Sequence, residues 1–172
     1  MQVENLRMPP TPARVRVFAP SDLHVTLGFL GRVQEAEAAK AWALIDKYPA
    51  FRSVIGSFSR VVPLGNPRKP SALSAMIDEG RDAFSEMIAQ ARGPMLAAAG
   101  APEDTRPPLP HMTVARIQRR ASSVERRQAL RWAEGIHAEG ASFTSRSVAL
   151  YTWSDDRQER LFQIVAQHDL PS

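Results

Sequence analysis

The chain has 172 residues, 44% of them apolar and 23% charged, with a formal charge of +4 and no cysteine. That composition excludes a disulfide-stapled secreted domain and any site built on thiolates. It holds no apolar run near the ~20 residues of a membrane span and no signal-peptide core, so a cytoplasmic protein that does not engage a membrane is the expectation.

Residues 1–13 contain three prolines and read as an irregular arm, with at most a short strand near Val3–Met8. Arg14–Phe18 alternates polar and apolar, the mark of a half-buried strand. Pro20-Ser21-Asp22 then turns the chain into an extended stretch, Leu23–Leu30, that Gly31 ends. Ala38, Ala41, Trp42, Ile45 and Tyr48 recur at helical spacing, which predicts a helix over 33–47 stopped by Pro49. Residues 51–62 and 71–77 read as strands around a proline-rich loop at 63–70. A second helix is expected over 80–92, broken or kinked at Gly93-Pro94, with room for a further turn over Met95–Ala99. After a loop with four prolines comes another strand, from His111. Ser122-Ser123-Val124-Glu125 is a capping-box signal for a third helix over 122–138. Residues 143–153 and 158–167 alternate like the two strands of a hairpin.

Two of these stretches share one pattern. Leu23-His24-Val25-Thr26-Leu27 and Pro110-His111-Met112-Thr113-Val114 both read His-x-Thr-x with apolar residues at x. With four His and six Thr in the chain, two such matches arise by chance roughly 1% of the time by counting against the template. On a strand, His24 and Thr26 face one side and Val25 and Leu27 the other; His111 and Thr113 likewise oppose Met112 and Val114. Phe29 falls on the Val25–Leu27 side and reads as core. Each pattern is followed by a helix, a weak internal repeat that suggests two related lobes with the His-Thr faces lining one groove.

Two imidazoles across a groove suit general acid–base catalysis, because one can be neutral and the other charged near neutral pH. Two Thr hydroxyls could hold the non-bridging oxygens of a phosphate as charge builds. Phosphodiester cleavage fits best, with no metal and no cofactor. A zinc site needs three or four ligands, and the chain offers neither cysteine nor a His-Glu-x-x-His pattern. A Ser-His-Asp triad lacks Gly-x-Ser-x-Gly support. Nineteen arginines against three lysines suit a phosphate-bearing partner, though a net charge of only +4 favours a solvated surface as their account. His137 and His168, without a Thr partner, read as surface residues. Arg119, Arg120, Arg126, Arg127 and Arg131 read as a solvated face.

The two motifs, with Ser21–Gly31, Asn66-Pro67-Arg68-Lys69-Pro70, Pro110–Arg116 and Val148–Tyr151, resemble the two-histidine (2H) phosphoesterase superfamily. The branch they look most like is the LigT-like RNA 2′,3′-cyclic phosphodiesterases, also labelled 2′-5′ RNA ligases. The resemblance spans about residues 14–170. It implies one α+β domain over 1–172, bilobal, with two pseudo-symmetric lobes, each an antiparallel sheet with outer helices, and the active groove between them. It implies metal-free hydrolysis of RNA 2′,3′-cyclic phosphate ends to 2′-phosphates. His111 would be the base on water and His24 the acid to the departing 3′ oxygen, in reversible roles; Thr26 and Thr113 would bind phosphate. Arg116 matches the Arg closing the second motif. Strict alternation puts it on the face opposite His111, so a twist or bulge must redirect it if it is to touch phosphate. The family begins with a strand and a helix before the Arg14–Phe18 region, so the first lobe is expected to lack its outer helix, or the start to lie late. RNA ends are the expected partner. The alternatives are a small cyclic nucleotide as substrate, or a nucleotide- or RNA-binding module without turnover. The oligomeric state stays open.

Overall fold

The computed structural model describes residues 1–48 and 51–171. Eight strands and three helices follow in the order β1 (Gln2–Glu4), β2 (Val15–Val17), α1 (Glu35–Trp42), β3 (Val54–Leu64), β4 (Ala72–Ile77), α2 (Arg81–Ala98), β5 (His111–Ile117), α3 (Ser123–Glu134), β6 (Ser142–Ser145), β7 (Ser147–Trp153) and β8 (Phe162–Asp169). The fold is α+β, with every named strand pair antiparallel. Six strands form one sheet in the order β1-β6-β3-β4-β5-β2, and β7 pairs with β8 as a separate two-stranded sheet. The two sheets are thus unequal, and the repeat is visible in the motifs more than in the elements around them.

One apolar cluster joins the large sheet to its helices, with Leu73, Ile77, Met87, Met112, Val114 and Phe143 almost fully buried. Phe143 packs on Phe58 and Phe84 at ring distances of 5.0 and 5.8 Å, which seats α2 on β3 and β6. Gly56 on β3 is required there: a Cβ would lie 2.2 Å from the Glu79 carbonyl oxygen and 2.6 Å from the Phe143 ring. No helix among the described residues is long and apolar enough to cross a membrane.

Several elements depart from the sequence reading. Helix α1 ends at Trp42, and Ile45–Lys47 is a separate 3-10 turn; Pro49 lies outside the described residues. Helix α2 runs through Pro94 to Ala98. Pro94 is exposed, so water can take the Gln90 carbonyl that loses its N–H, while the buried Met95 and Leu96 anchor the last turn. The expected capping box at α3 is present: the Ser122 hydroxyl accepts from the Glu125 N–H at 3.3 Å, and the Glu125 carboxylate accepts from the Ser122 N–H at 2.7 Å.

The largest departure is Leu23–Leu30, which forms no regular strand. A 3-10 turn at Pro20–Asp22 leads into it, and its ladder contact is one antiparallel bridge, Val25 to Met112. The reason lies in β2, which already occupies that edge of β5 from Ala115 to Ile117. The chain leaves the edge after Phe18, loops out through the 3-10 turn and touches the edge again at Val25. Beyond that point nothing holds the alternation, and Phe29 is 80% exposed where core was expected.

Candidate active site

The Val25–Met112 bridge brings the two motifs together. Antiparallel pairing through that bridge sets His24 across from Thr113 and Thr26 across from His111. His111 and Thr113 share the face of β5 opposite Met112, and the bridge brings His24 alongside them; Thr26 follows the bridge, outside any ladder. Residues 24 and 111 are then diagonal across the bridge, and diagonal neighbours on paired strands generally stand about 7–8 Å apart. A second sign of proximity is electrostatic: the His111 ring lies close enough to disfavour a charge on His24.

Each imidazole is anchored in the same way. His24 Nδ1 lies 2.7 Å from the Asp22 carbonyl oxygen, and His111 Nδ1 lies 2.6 Å from the Leu109 carbonyl oxygen. In both cases the partner is two residues upstream. A carbonyl only accepts, so each Nδ1 carries the proton and donates it. Among the described residues neither Nε2 has a hydrogen-bond partner, so each can accept when the ring is neutral and donate when it is charged. This is the second half of the repeat, and it rests on backbone geometry rather than on a side-chain type.

The surroundings differ. His24 sits against the β7–β8 hairpin, stacked on Tyr151 at 5.0 Å and edge-on to Phe162 at 5.4 Å. The Asp22 carboxylate, itself buried, locks that packing by accepting from the Leu161 and Phe162 N–H groups at 2.8 and 3.1 Å. Burial pushes the His24 pKa below its ordinary value; the Asp22 carbonyl and carboxylate pull it back only in part. Burial and the Asp22 charge push the Tyr151 hydroxyl upward.

Thr113 is supported from below by Ser74 on β4, which is fully buried and lies 3.1 Å away, oxygen to oxygen. If Ser74 donates, Thr113 keeps its own proton for a bound oxyanion. Thr26 is exposed.

Arg116 reaches the His-Thr face through a bulge. Ser74 pairs with Thr113 but Leu73 pairs with Ala115, so Val114 is the extra residue on β5. Val114 and Ala115 are both buried, and the alternation resumes one step out of phase. Arg116, opposite Ala72, therefore shares the side of Ser74, Thr113 and His111. On its other flank Arg116 faces Arg16 of β2, a residue that nothing in its local pattern singles out. Ser74, Tyr151 and Phe162 were equally silent as site residues, although Tyr151 closes one of the matching stretches.

The other candidates fall elsewhere. His137 makes a backbone bridge to Arg7, and His168 lies 3.3 Å from the Asp46 carboxylate. Arg126 donates to the Pro70 carbonyl at 2.9 Å. Among the described residues no three His, Cys, Asp or Glu side chains converge as a metal site requires. Two shallow clefts, one beside Ser59 and His137 and one beside Phe29 and Asp104, contain neither motif histidine.

The His-Thr face sits on a known scaffold, the LigT-like phosphoesterase fold. Escherichia coli LigT complexed with 3′-AMP superposes with a TM-score of 0.66 at 17% identity, over 94% of this chain and 84% of that one. A crystal structure described as a phosphoesterase gives 0.64 at 18% identity, over 96% and 86%. TT0787 of Thermus thermophilus gives 0.58 at 16% identity, over 92% and 83%. No family model and no curated protein matches the chain by sequence. At such identities the likeness establishes the architecture: the expected α+β class with antiparallel sheets is observed, while the two sheets, of six and two strands, are not the matched pair expected.

Proposed function

We propose that the chain is a two-histidine phosphodiesterase that hydrolyses 2′,3′-cyclic phosphate ends of RNA to 2′-phosphates without a metal ion. The observation that carries this reading is the pairing of the two His-x-Thr motifs through Val25 and Met112, with both Nδ1 atoms tied to carbonyls. Binding alone would not call for two titratable rings with free Nε2 atoms over one spot.

In the proposed step a water oxygen forms a bond to phosphorus, and the bond from phosphorus to the 3′ oxygen breaks. One imidazole takes the proton of the water, and the other, as imidazolium, gives its proton to the 3′ oxygen. Burial favours His24 as the ring that starts neutral, hence as the base, with His111 as the acid. This is the reverse of the order implied by the family resemblance, and the near-symmetry of the face permits either. The Thr26 and Thr113 hydroxyls and the Arg116 guanidinium hold the non-bridging oxygens. A cytoplasmic setting and an RNA partner belong to the same reading.

The test is turnover of 2′,3′-cyclic nucleotides and of RNA ending in a cyclic phosphate, in EDTA, with the product identified. Release of a 2′-phosphate is expected. Loss of turnover in EDTA would contradict the metal-free step, and binding without turnover would favour a non-catalytic module. A small cyclic nucleotide as the physiological substrate is the nearest alternative. It draws support from E. coli LigT having been crystallised with 3′-AMP, ATP and NADP+.

A further inference from the structure

The face of the β7–β8 hairpin that covers His24 does not end at His24. Trp153 pairs across from Phe162, and Tyr151 across from Ile164, so these four side chains share one face. From the His24 ring the next ring is Phe162, and Trp153 stacks on Phe162 at 5.1 Å with their planes 25° apart. Trp153 is 48% exposed and Ile164 50%. The Arg157 guanidinium lies over the indole, 4.8 Å from its centroid. Arg16, beside Arg116 on the large sheet, reaches the Gln158 carbonyl at 3.4 Å and so borders the same turn. An aromatic ledge thus leads outward from the imidazole, with arginines along it.

We propose that Trp153 and Arg157 form a subsite for the base of the nucleotide just 5′ of the terminal cyclic phosphate. Single-stranded RNA ends, rather than free mononucleotides, are then the preferred substrate class. The proposal rests on the phosphodiesterase reading above. The inner rings, Tyr151 and Phe162, already touch the imidazole and lie where the terminal nucleotide must sit. Trp153, one ring further out, meets the next base. Base stacking on an indole is generally stronger than an exposed cation–π contact, so the base displaces the guanidinium, which turns to the adjoining phosphate. Asp155, Asp156 and Glu159 share this turn, but the Asp156 carboxylate is engaged by the Gln158 N–H at 2.8 Å. The arginines remain the groups that can meet a phosphate.

The experiment compares kcat and KM of the wild type, Trp153→Ala, Trp153→Phe and Arg157→Ala on two substrates. One is a mononucleotide 2′,3′-cyclic phosphate and the other an RNA trinucleotide with the same end. Trp153→Ala is expected to raise KM for the trinucleotide about 10-fold, with kcat held and a much smaller change on the mononucleotide. Trp153→Phe should retain most of the preference, and Arg157→Ala should lose part of it. Equal losses on both substrates, or none on the trinucleotide, would overturn the proposal. Binding of a trinucleotide 2′-phosphate, followed by tryptophan fluorescence, separates the two readings. Quenching that vanishes in Trp153→Phe, with no turnover of either substrate, would leave the subsite standing and the hydrolase reading refuted. Turnover without such quenching would do the reverse.

Discussion

The first motif and the second carry the same imidazole on the same anchor, yet they are held differently. His111 opens β5, which pairs with β4 from that residue on, and its support is the sheet itself. His24 stands on a stretch with one bridge to the sheet, and its support is a clamp: the buried Asp22 carboxylate and the aromatic face of a separate hairpin. The sheet gives His111 position while leaving its ring part-exposed. The clamp gives His24 position by taking it out of water, and that lowers its pKa. Two nearly symmetric groups are thereby made unequal, which is what a pair dividing the roles of base and acid needs.

The sharpest break of this symmetry is removal of either ring. His24→Ala and His111→Ala should each lower kcat by about 10²–10⁴ with smaller effects on KM; full activity in either variant would refute acid–base roles. Next in size is Arg116→Ala: if Arg116 holds the phosphate as proposed, losing that charge-assisted hydrogen bond, about 1.5–3 kcal/mol, should cost about 10–100-fold in kcat/KM. No effect would return Arg116 to the solvated surface.

The clamp can be separated from the chemistry by unfolding experiments. Asp22→Ala leaves two backbone N–H groups near the hairpin without their acceptor, at roughly 1–3 kcal/mol each where buried. A drop in Tm is expected, with His24 loosened and His111 unaffected in an NMR spectrum. A variant as stable as the wild type would show that the hairpin is held by its aromatic packing alone.

The inequality of the two rings also has a pH signature. A histidine whose folded pKa lies below its unfolded value binds fewer protons when folded. Its contribution to stability is present above about pH 6.5 and is lost as pH falls through the lowered folded value. If His24 is the base, the acid limb of kcat/KM should follow the same group, with a midpoint below 6.5. NMR titration of the His24 ring checks both, and a midpoint above 6.5 would remove the reason for assigning it as base. The smallest effect is expected at Ser74→Ala, which takes away one hydrogen bond to Thr113. About 1 kcal/mol, or a ~5-fold fall in kcat/KM, is expected, and only the second motif should feel it.

The sequence was most informative where local pattern and chemistry coincide. The two His-x-Thr runs, the Ser122–Glu125 capping box and the strand pattern around β3–β5 could all be read from spacing. Even the bulge that redirects Arg116 left a trace, since Val114-Ala115 are consecutive apolar residues that break the polar–apolar alternation of β5. What could not be read depends on distant pairing. Ser74 matters only because register places it against Thr113, thirty-nine residues away. Asp22 bonds to residues 139 and 140 positions further on. Phe29 looked buried because its alternation was extended past Val25, but β2 already holds the neighbouring edge of β5, so no ladder enforces that alternation. Pro94 looked like a break or kink because the packing of Met95 and Leu96, which carries the helix on to Ala98, is a property of the fold and not of the helix.

The most direct measurement is a crystal structure of the protein with a 2′-phosphorylated nucleoside, the proposed product. Both Nε2 atoms, of His24 and His111, are expected within about 2.6–3.2 Å of oxygens on the same phosphorus or of the adjoining 3′ hydroxyl. A phosphate held by one histidine alone, or bound away from both, would contradict the shared site.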